Sequence, residues 1–66
     1  MAAYYVNNRQ QSNGDHEVHV STCRVLPADR KYLGEHASCA TAVAEAKKYY
    51  SRADGCAICS PACHTR

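Results

Sequence analysis

The sequence predicts a small α+β fold: an antiparallel sheet of two or three strands packed by one C-terminal helix, followed by a Cys-rich knuckle. Three observations point to this fold. Short β-prone segments alternate with turn residues in the first half of the chain, a helical apolar period follows Ser38, and a Cys-rich segment follows Gly55. With 66 residues, the chain is predicted to form a single domain over residues 1–66.

The first predicted element is a β-hairpin formed by residues 3–8 and 15–20. Tyr4–Val6 is β-prone, and the following polar segment contains Asn13-Gly14, a strong signal for chain reversal because both residues tolerate a positive φ. In Glu17–Val20 the apolar and polar side chains alternate, as they do in a strand with one buried face.

A third strand and a helix complete the predicted fold. Lys31–Glu35 is the third strand candidate, and Ser38 is a suitable N-cap for a helix over residues 39–52. The apolar face of this helix recurs at intervals of four, three and four residues, through Cys39, Val43, Ala46 and Tyr50. Asp54-Gly55 is expected to end the helix, with Gly55 in the left-handed position after it.

A fold of this size is expected to need a staple. The chain has no Trp or Phe, and a core this small rarely supplies more than about 3–5 kcal/mol. A structural zinc ion supplies roughly 10–16 kcal/mol in finger peptides, and one disulfide about 2–4 kcal/mol. Met1–Tyr5 lacks the features of a signal peptide, and no stretch is long enough to span a bilayer. We therefore expect a cytoplasmic protein with a metal site and no membrane association.

Two spaced pairs form the candidate metal site. Cys56-x-x-Cys59 lets one tight turn direct two sulfurs at a tetrahedral ion, and His19-x-x-x-Cys23 is the natural complement. The predicted ligands of a structural zinc ion are therefore His19, Cys23, Cys56 and Cys59. The same Cys56–Cys59 spacing also suits a redox disulfide. The alternative is therefore a disulfide-stapled or thiol-redox protein that uses the cluster of Cys56, Cys59 and Cys63.

The remaining cysteines leave the assignment open. Cys63 also has a ligand-like spacing from Cys59 and could replace Cys23 or His19. Cys39 could form a disulfide with Cys63 or Cys23, or pack as a small apolar residue in the helix face.

An enzyme is not expected. Cys63 and His64 are adjacent in the chain, and such neighbours rarely present a base to a nucleophile in the required geometry. His16 and His36 are assigned no role.

The charge pattern gives little information about partners. The formal net charge is +2, and the basic residues are dispersed among acidic ones. A strong nonspecific nucleic-acid interaction is therefore not implied, although Arg24, Arg30, Lys31 and exposed Tyr side chains could contact nucleic acid. The partner stays unassigned, and a monomer is expected.

Part of the chain, from Val18 to Pro61, resembles the small metal-binding domain of the Ada type. The shared frame is His19-x3-Cys23, Pro27, Arg30-x-Tyr32, Ala42, Ala46 and Gly55-Cys56-x-x-Cys59. The resemblance implies zinc bound by His19, Cys23, Cys56 and Cys59 on a small sheet packed by one helix. The methyl-accepting chemistry of that family does not carry over, because His19 stands where the family has its acceptor Cys.

The whole chain also resembles a family of small uncharacterised bacterial Cys-rich proteins, which brings no known activity. The similarity is carried by the segment from Ser12 to His19 and by the ending Cys59-Ser60-Pro61-x-Cys63-His64-Thr65. Together, these observations predict a noncatalytic, zinc-stabilised binding or adaptor module.

Overall fold

The computed structural model describes residues 1–65 and contains four strands, one α-helix and one turn of 3-10 helix. The strands are β1 (Ala2–Asn7), β2 (His16–Val20), β3 (Arg30–His36) and β4 (Ala53–Gly55). The helix α1 spans Cys39–Ala46, and the 3-10 turn spans Pro61–Cys63. Among the described residues, no helix has the length and apolar character needed to cross a membrane.

The sheet is mixed, with the strand order β3-β1-β2-β4. β1 is antiparallel to both of its neighbours, whereas β2 and β4 are parallel. The prediction of a two- or three-stranded antiparallel sheet packed by one C-terminal helix is therefore wrong. The apolar period suggested a helix to residue 52, but α1 ends at Ala46, and the chain turns and forms a fourth strand where a helix stop was expected.

The predicted pairing of the first two strands is confirmed. Tyr4 lies opposite Val20 and Val6 opposite Val18, in antiparallel register. Within the connection Gly14 has a φ of 91°, a conformation that Gly adopts without steric cost. The side-chain oxygen of Asn13 accepts a hydrogen bond from the Asp15 amide at 3.0 Å, which fixes the turn locally.

Within residues 1–65, the helix covers one face of the sheet, and no helix lies on the other face. The core joins sheet and helix residues: Val6, Val18, Leu33, Ala42, Val43, Ala46 and Ala53. Because side chains alternate along a strand, the neighbours of these core residues project to the opposite face. This second face carries Tyr5, His19 and Tyr32, since Tyr5 is the register partner of both other residues.

A disulfide between Cys39 and Cys63 joins the start of α1 to the 3-10 turn, with the two Cα atoms 6.2 Å apart. This pairing decides between the alternatives that the sequence left open for Cys39. It also removes Cys63 from the set of free thiols, which are Cys23, Cys56 and Cys59 among the described residues.

Candidate metal centre

The parallel pairing of β2 and β4 brings the candidate ligands together. The two strands run in the same direction, with Val18 opposite Gly55, so the residues that follow in each strand meet at one edge of the sheet. His19 lies in β2, and Cys56 comes directly after β4, where its amide donates a hydrogen bond to the Val18 carbonyl at 3.0 Å. Each strand then turns and supplies a second cysteine, Cys23 and Cys59.

The four side chains converge on one point. One ligand atom from each of His19, Cys23, Cys56 and Cys59 lies within 4.8 Å of the other three. The Cys59 Sγ is 3.9 Å from the His19 Nδ1. In a tetrahedral site with metal–sulfur bonds of about 2.3 Å, neighbouring sulfurs are roughly 3.8 Å apart. The donors are therefore spaced for a single tetrahedral ion after a small inward movement.

Burial sets the protonation states of the His19 ring and the Cys59 thiol in this cluster. His19 is 1% exposed, and burial lowers the pKa of its imidazole, so the ring is neutral near pH 7. Burial raises the pKa of the Cys59 thiol, and a hydrogen bond with the Cys23 side chain raises it further. Without a cation the Cys59 sulfur thus keeps its proton, which a bound metal ion would displace.

The two ring nitrogens of His19 face different partners. Nδ1 faces the cluster, while Nε2 lies 3.5 Å from the Glu17 Oε1. A neutral ring with its proton on Nε2 donates toward this carboxylate and leaves the Nδ1 lone pair directed at the sulfurs. Carboxylate groups commonly orient metal-binding histidines in this way. Burial raises the pKa of the Glu17 carboxyl group, and the neighbouring His64 opposes this effect.

Short backbone hydrogen bonds shape the two turns that carry the cysteines. In the Cys56–Cys59 turn, the Ile58 amide donates to the Cys56 Sγ at 3.4 Å, and the Ser60 amide donates to the Cys56 carbonyl at 2.8 Å. An amide directed at a sulfur stabilises negative charge on it. In the other turn, the Cys23 amide donates to the Val20 carbonyl at 2.9 Å, which directs Cys23 back toward β2.

The structure thus brings together all four residues that the sequence proposed as ligands. The other His side chains make different contacts. His16 stacks on Tyr50 with ring centroids 3.9 Å apart, His36 contacts the Leu33 carbonyl, and His64 contacts the Gly55 carbonyl. Sequence reasoning missed Glu17, although its position two residues before His19 on the polar side of β2 was a usable signal.

No protein-family model, curated protein or solved structure matches this chain. The interpretation of the cluster therefore depends on its own geometry and donor chemistry. Three sulfurs and one imidazole form a soft donor set, which suits zinc and is unsuited to Mg²⁺ or Ca²⁺. With four protein ligands, no coordination position is left for a reactive water molecule.

Proposed function

We propose that this chain is a noncatalytic binding module stabilised by one structural zinc ion at His19, Cys23, Cys56 and Cys59. The observation that carries the proposal is the convergence of four soft ligand atoms within 4.8 Å of one another, drawn from two separate turns. A site with four protein ligands serves to hold the fold together, as in zinc fingers and zinc ribbons.

The metal would also fix the surface loops that it joins. Val25, two residues after Cys23, is 46% exposed, and Ile58, within the Cys56–Cys59 turn, is 50% exposed. Both apolar side chains lie on segments whose positions depend on the ligands beside them. Ordering such loops for a partner is a role that suits a small domain without an open metal position.

The thiol-redox alternative is favoured by one observation, the disulfide between Cys39 and Cys63. Reactive redox thiols, however, have a lowered pKa. The pKa of the Cys59 thiol is shifted in the opposite direction by burial. We therefore assign the disulfide a structural role and the three remaining thiols to the metal site.

Cobalt substitution tests the ligand set. We expect the protein loaded with Co²⁺ to show the visible bands of a tetrahedral ion and near-ultraviolet sulfur-to-cobalt charge transfer of three thiolates. The variant Cys59→Ser should lose part of the charge-transfer intensity and bind Co²⁺ more weakly. The matched variant Cys39→Ser/Cys63→Ser, which removes the two cysteines outside the cluster, should keep the full spectrum.

Two results would contradict the proposal. One is an octahedral cobalt spectrum without sulfur charge transfer. The other is a spectrum that changes as much in Cys39→Ser/Cys63→Ser as in Cys59→Ser.

A further inference from the structure

The helix-free face of the sheet carries a pair of tyrosines on neighbouring strands. Tyr5 of β1 and Tyr32 of β3 lie directly opposite each other in the register, with ring centroids 5.3 Å apart and planes inclined by 51°. Tyr32 is 56% exposed. An aromatic ring on an open sheet face offers a flat surface on which another planar group can stack.

A cation is held beside this pair. The Arg30 guanidinium carbon lies 5.0 Å from the centroid of the Tyr5 ring, and Arg30 precedes Tyr32 by two residues on the same side of β3. The Arg30 Nη1 also donates a hydrogen bond to the Pro27 carbonyl at 3.0 Å, in the loop that follows Cys23. Arg30 is nevertheless exposed, so its remaining donors can reach a ligand.

The aromatic pair is continuous with the metal centre. Tyr5 lies opposite Tyr32 on one side and opposite His19 on the other, so the three rings share one face across three strands. Arg24, which is also exposed, follows the ligand Cys23 directly. If the proposed metal binds, it fixes both His19 and the Cys23 turn, and with them one border of this surface.

We propose that this face, formed by Tyr5, Tyr32 and Arg30, binds single-stranded nucleic acid. An unpaired base would stack on the open ring of Tyr32, and the Arg30 guanidinium would contact a neighbouring phosphate. This inference names a partner class for the proposed binding module. It rests on the proposed function, because the zinc ion would order the Cys23 turn at the border of the face.

The aromatic rings and the charges of the face favour a short single strand over a duplex. Stacking on a tyrosine requires an unpaired base, which a duplex does not offer without disruption. The described part of the face presents the Arg30 cation rather than an extended basic patch, and the exposed Glu35 lies on the same face opposite Ala3. A phosphate backbone is therefore expected to pass the Arg30 end of the Tyr pair and avoid the Glu35 end.

Fluorescence anisotropy with labelled oligothymidylate and oligouridylate tests the proposal on the metal-loaded protein with its disulfide intact. We expect binding at low salt that weakens as salt is raised, because phosphate contacts release counterions. Tyr32→Ala should weaken binding by about 5- to 100-fold, the effect of one stacked base. Tyr32→Phe, which keeps the ring, should bind almost as well as the unchanged protein.

Tyr49→Ala provides the matched control. Tyr49 is 52% exposed and also has a cation beside it, since the Lys31 Nζ lies 4.5 Å from its ring centroid. It lies beside Lys31, the register partner of the core residue Val6, and therefore on the side of the sheet opposite the Tyr5–Tyr32 pair, so its removal should leave the affinity unchanged. Because all of these side chains are exposed or on the surface, circular dichroism should show that each variant is folded.

Two outcomes would overturn the proposal: no anisotropy change with any single strand at low salt, or equal weakening by Tyr32→Ala and Tyr49→Ala. Zinc content measured in the same samples separates this result from the fate of the metal site. Zinc present without oligonucleotide binding would refute the nucleic-acid face and retain the proposed function. Binding that depends on Tyr32 in a folded protein without zinc would support the nucleic-acid face and refute the structural zinc site.

Discussion

The imidazole of His19 connects the candidate metal site to the rest of the sheet. Its Nδ1 faces the Cys59 sulfur at 3.9 Å, and its Nε2 lies 3.5 Å from the Glu17 carboxylate. Because the ring is buried, neither nitrogen can rely on bulk water for its hydrogen bonds. The carboxylate therefore supports the tautomer whose lone pair is available to a metal.

Removing the Glu17 carboxylate should weaken metal binding without removing a ligand. Loss of a group that orients a ligand typically costs about 10- to 100-fold in metal affinity. We expect a decrease of this size for Glu17→Ala, measured by zinc competition against a chromophoric chelator. Glu35→Ala, which removes an exposed carboxylate from β3, is the control. Equal affinities of the two variants would show that Glu17 does not support the site.

Proton competition should make metal affinity depend on pH in a defined direction. Burial raises the pKa of the Cys59 thiol, so this group holds its proton across the neutral range and must release it to bind a metal. The lowered pKa of His19 delays protonation of the imidazole until the pH is below its ordinary value of about 6.5. Stabilisation by the metal is thus present at higher pH and lost as the pH falls.

Chelator competition at several pH values measures this effect. Between about pH 8 and 6.5 we expect zinc affinity to fall by at least tenfold per pH unit, since at least one thiol proton is displaced. Proton release into a weakly buffered solution on adding zinc gives the same quantity independently. Constant affinity over this range, or no proton release, would contradict the assignment of Cys59 as a ligand.

At the scale of elements, β4 explains both the success and the failure of sequence reasoning. The spacings His19-x-x-x-Cys23 and Cys56-x-x-Cys59 are local, so each pair could be identified from sequence alone. β4 has only three residues, Ala53–Gly55, which is too short to show strand alternation. Its stability comes from parallel pairing with β2, more than thirty residues earlier, and no local pattern encodes such a contact.

The role of Gly55 also depends on contacts that the local sequence does not encode. The sequence suggested a left-handed helix stop, but the described residues with a positive φ are Gly14 and Gly34. Gly55 is instead required for close packing, because a Cβ atom there would lie 2.6 Å from the Cys63 Cβ and 2.8 Å from the Ser60 carbonyl oxygen. The absent side chain lets the 3-10 turn pack against β4.

Gly55→Ala should therefore destabilise the protein by about 1–3 kcal/mol, the usual cost of overpacking, because backbone must move to admit the methyl group. Urea unfolding monitored by circular dichroism measures the change. Gly14→Asn is a useful comparison, since it strains a φ of 91° that Asn tolerates better than most residues, but the nearest atoms belong to the Arg52 side chain, at 3.3 Å, rather than to backbone. A smaller loss for Gly55→Ala than for Gly14→Asn would contradict this explanation.

The disulfide between Cys39 and Cys63 should contribute to stability separately from the metal. It joins residues 24 positions apart, and closing a loop of this size stabilises a fold by about 3 kcal/mol in the chain-entropy description. Cys39→Ala/Cys63→Ala should lower the free energy of unfolding by about this amount while the protein still binds one metal ion. Unchanged stability would show that the disulfide does not stabilise the fold, and loss of the metal would show that the two staples are not independent.

At the scale of the whole molecule, the C-terminal segment has two candidate staples. A metal ion at the proposed site would join Cys56 and Cys59 to β2 and its following turn, and the disulfide joins Cys63 to the start of α1. Between them lies a core of buried Val and Leu side chains, which three Ala complete. A core of this kind supplies limited hydrophobic stabilisation, so much of the stability is expected to depend on the two staples.

The dependence on metal can be tested by its removal. We expect a strong chelator to abolish most of the near-ultraviolet circular dichroism of the Tyr side chains, and stoichiometric zinc to restore it, because binding of a structural metal is coupled to folding. Magnesium at the same concentration is the control, since it prefers oxygen ligands. A spectrum and unfolding midpoint unaffected by the chelator would show that the fold does not require a metal.

Native mass spectrometry of freshly purified protein, followed by denaturation and thiol alkylation without reductant, tests the central claim most directly. We predict one zinc ion per chain in the native spectrum, lost on denaturation. The three thiols of Cys23, Cys56 and Cys59 should then be alkylated, and Cys39 and Cys63 should remain joined. A native mass without metal, together with a disulfide between Cys56 and Cys59, would contradict the assignment of this cluster as a structural zinc site.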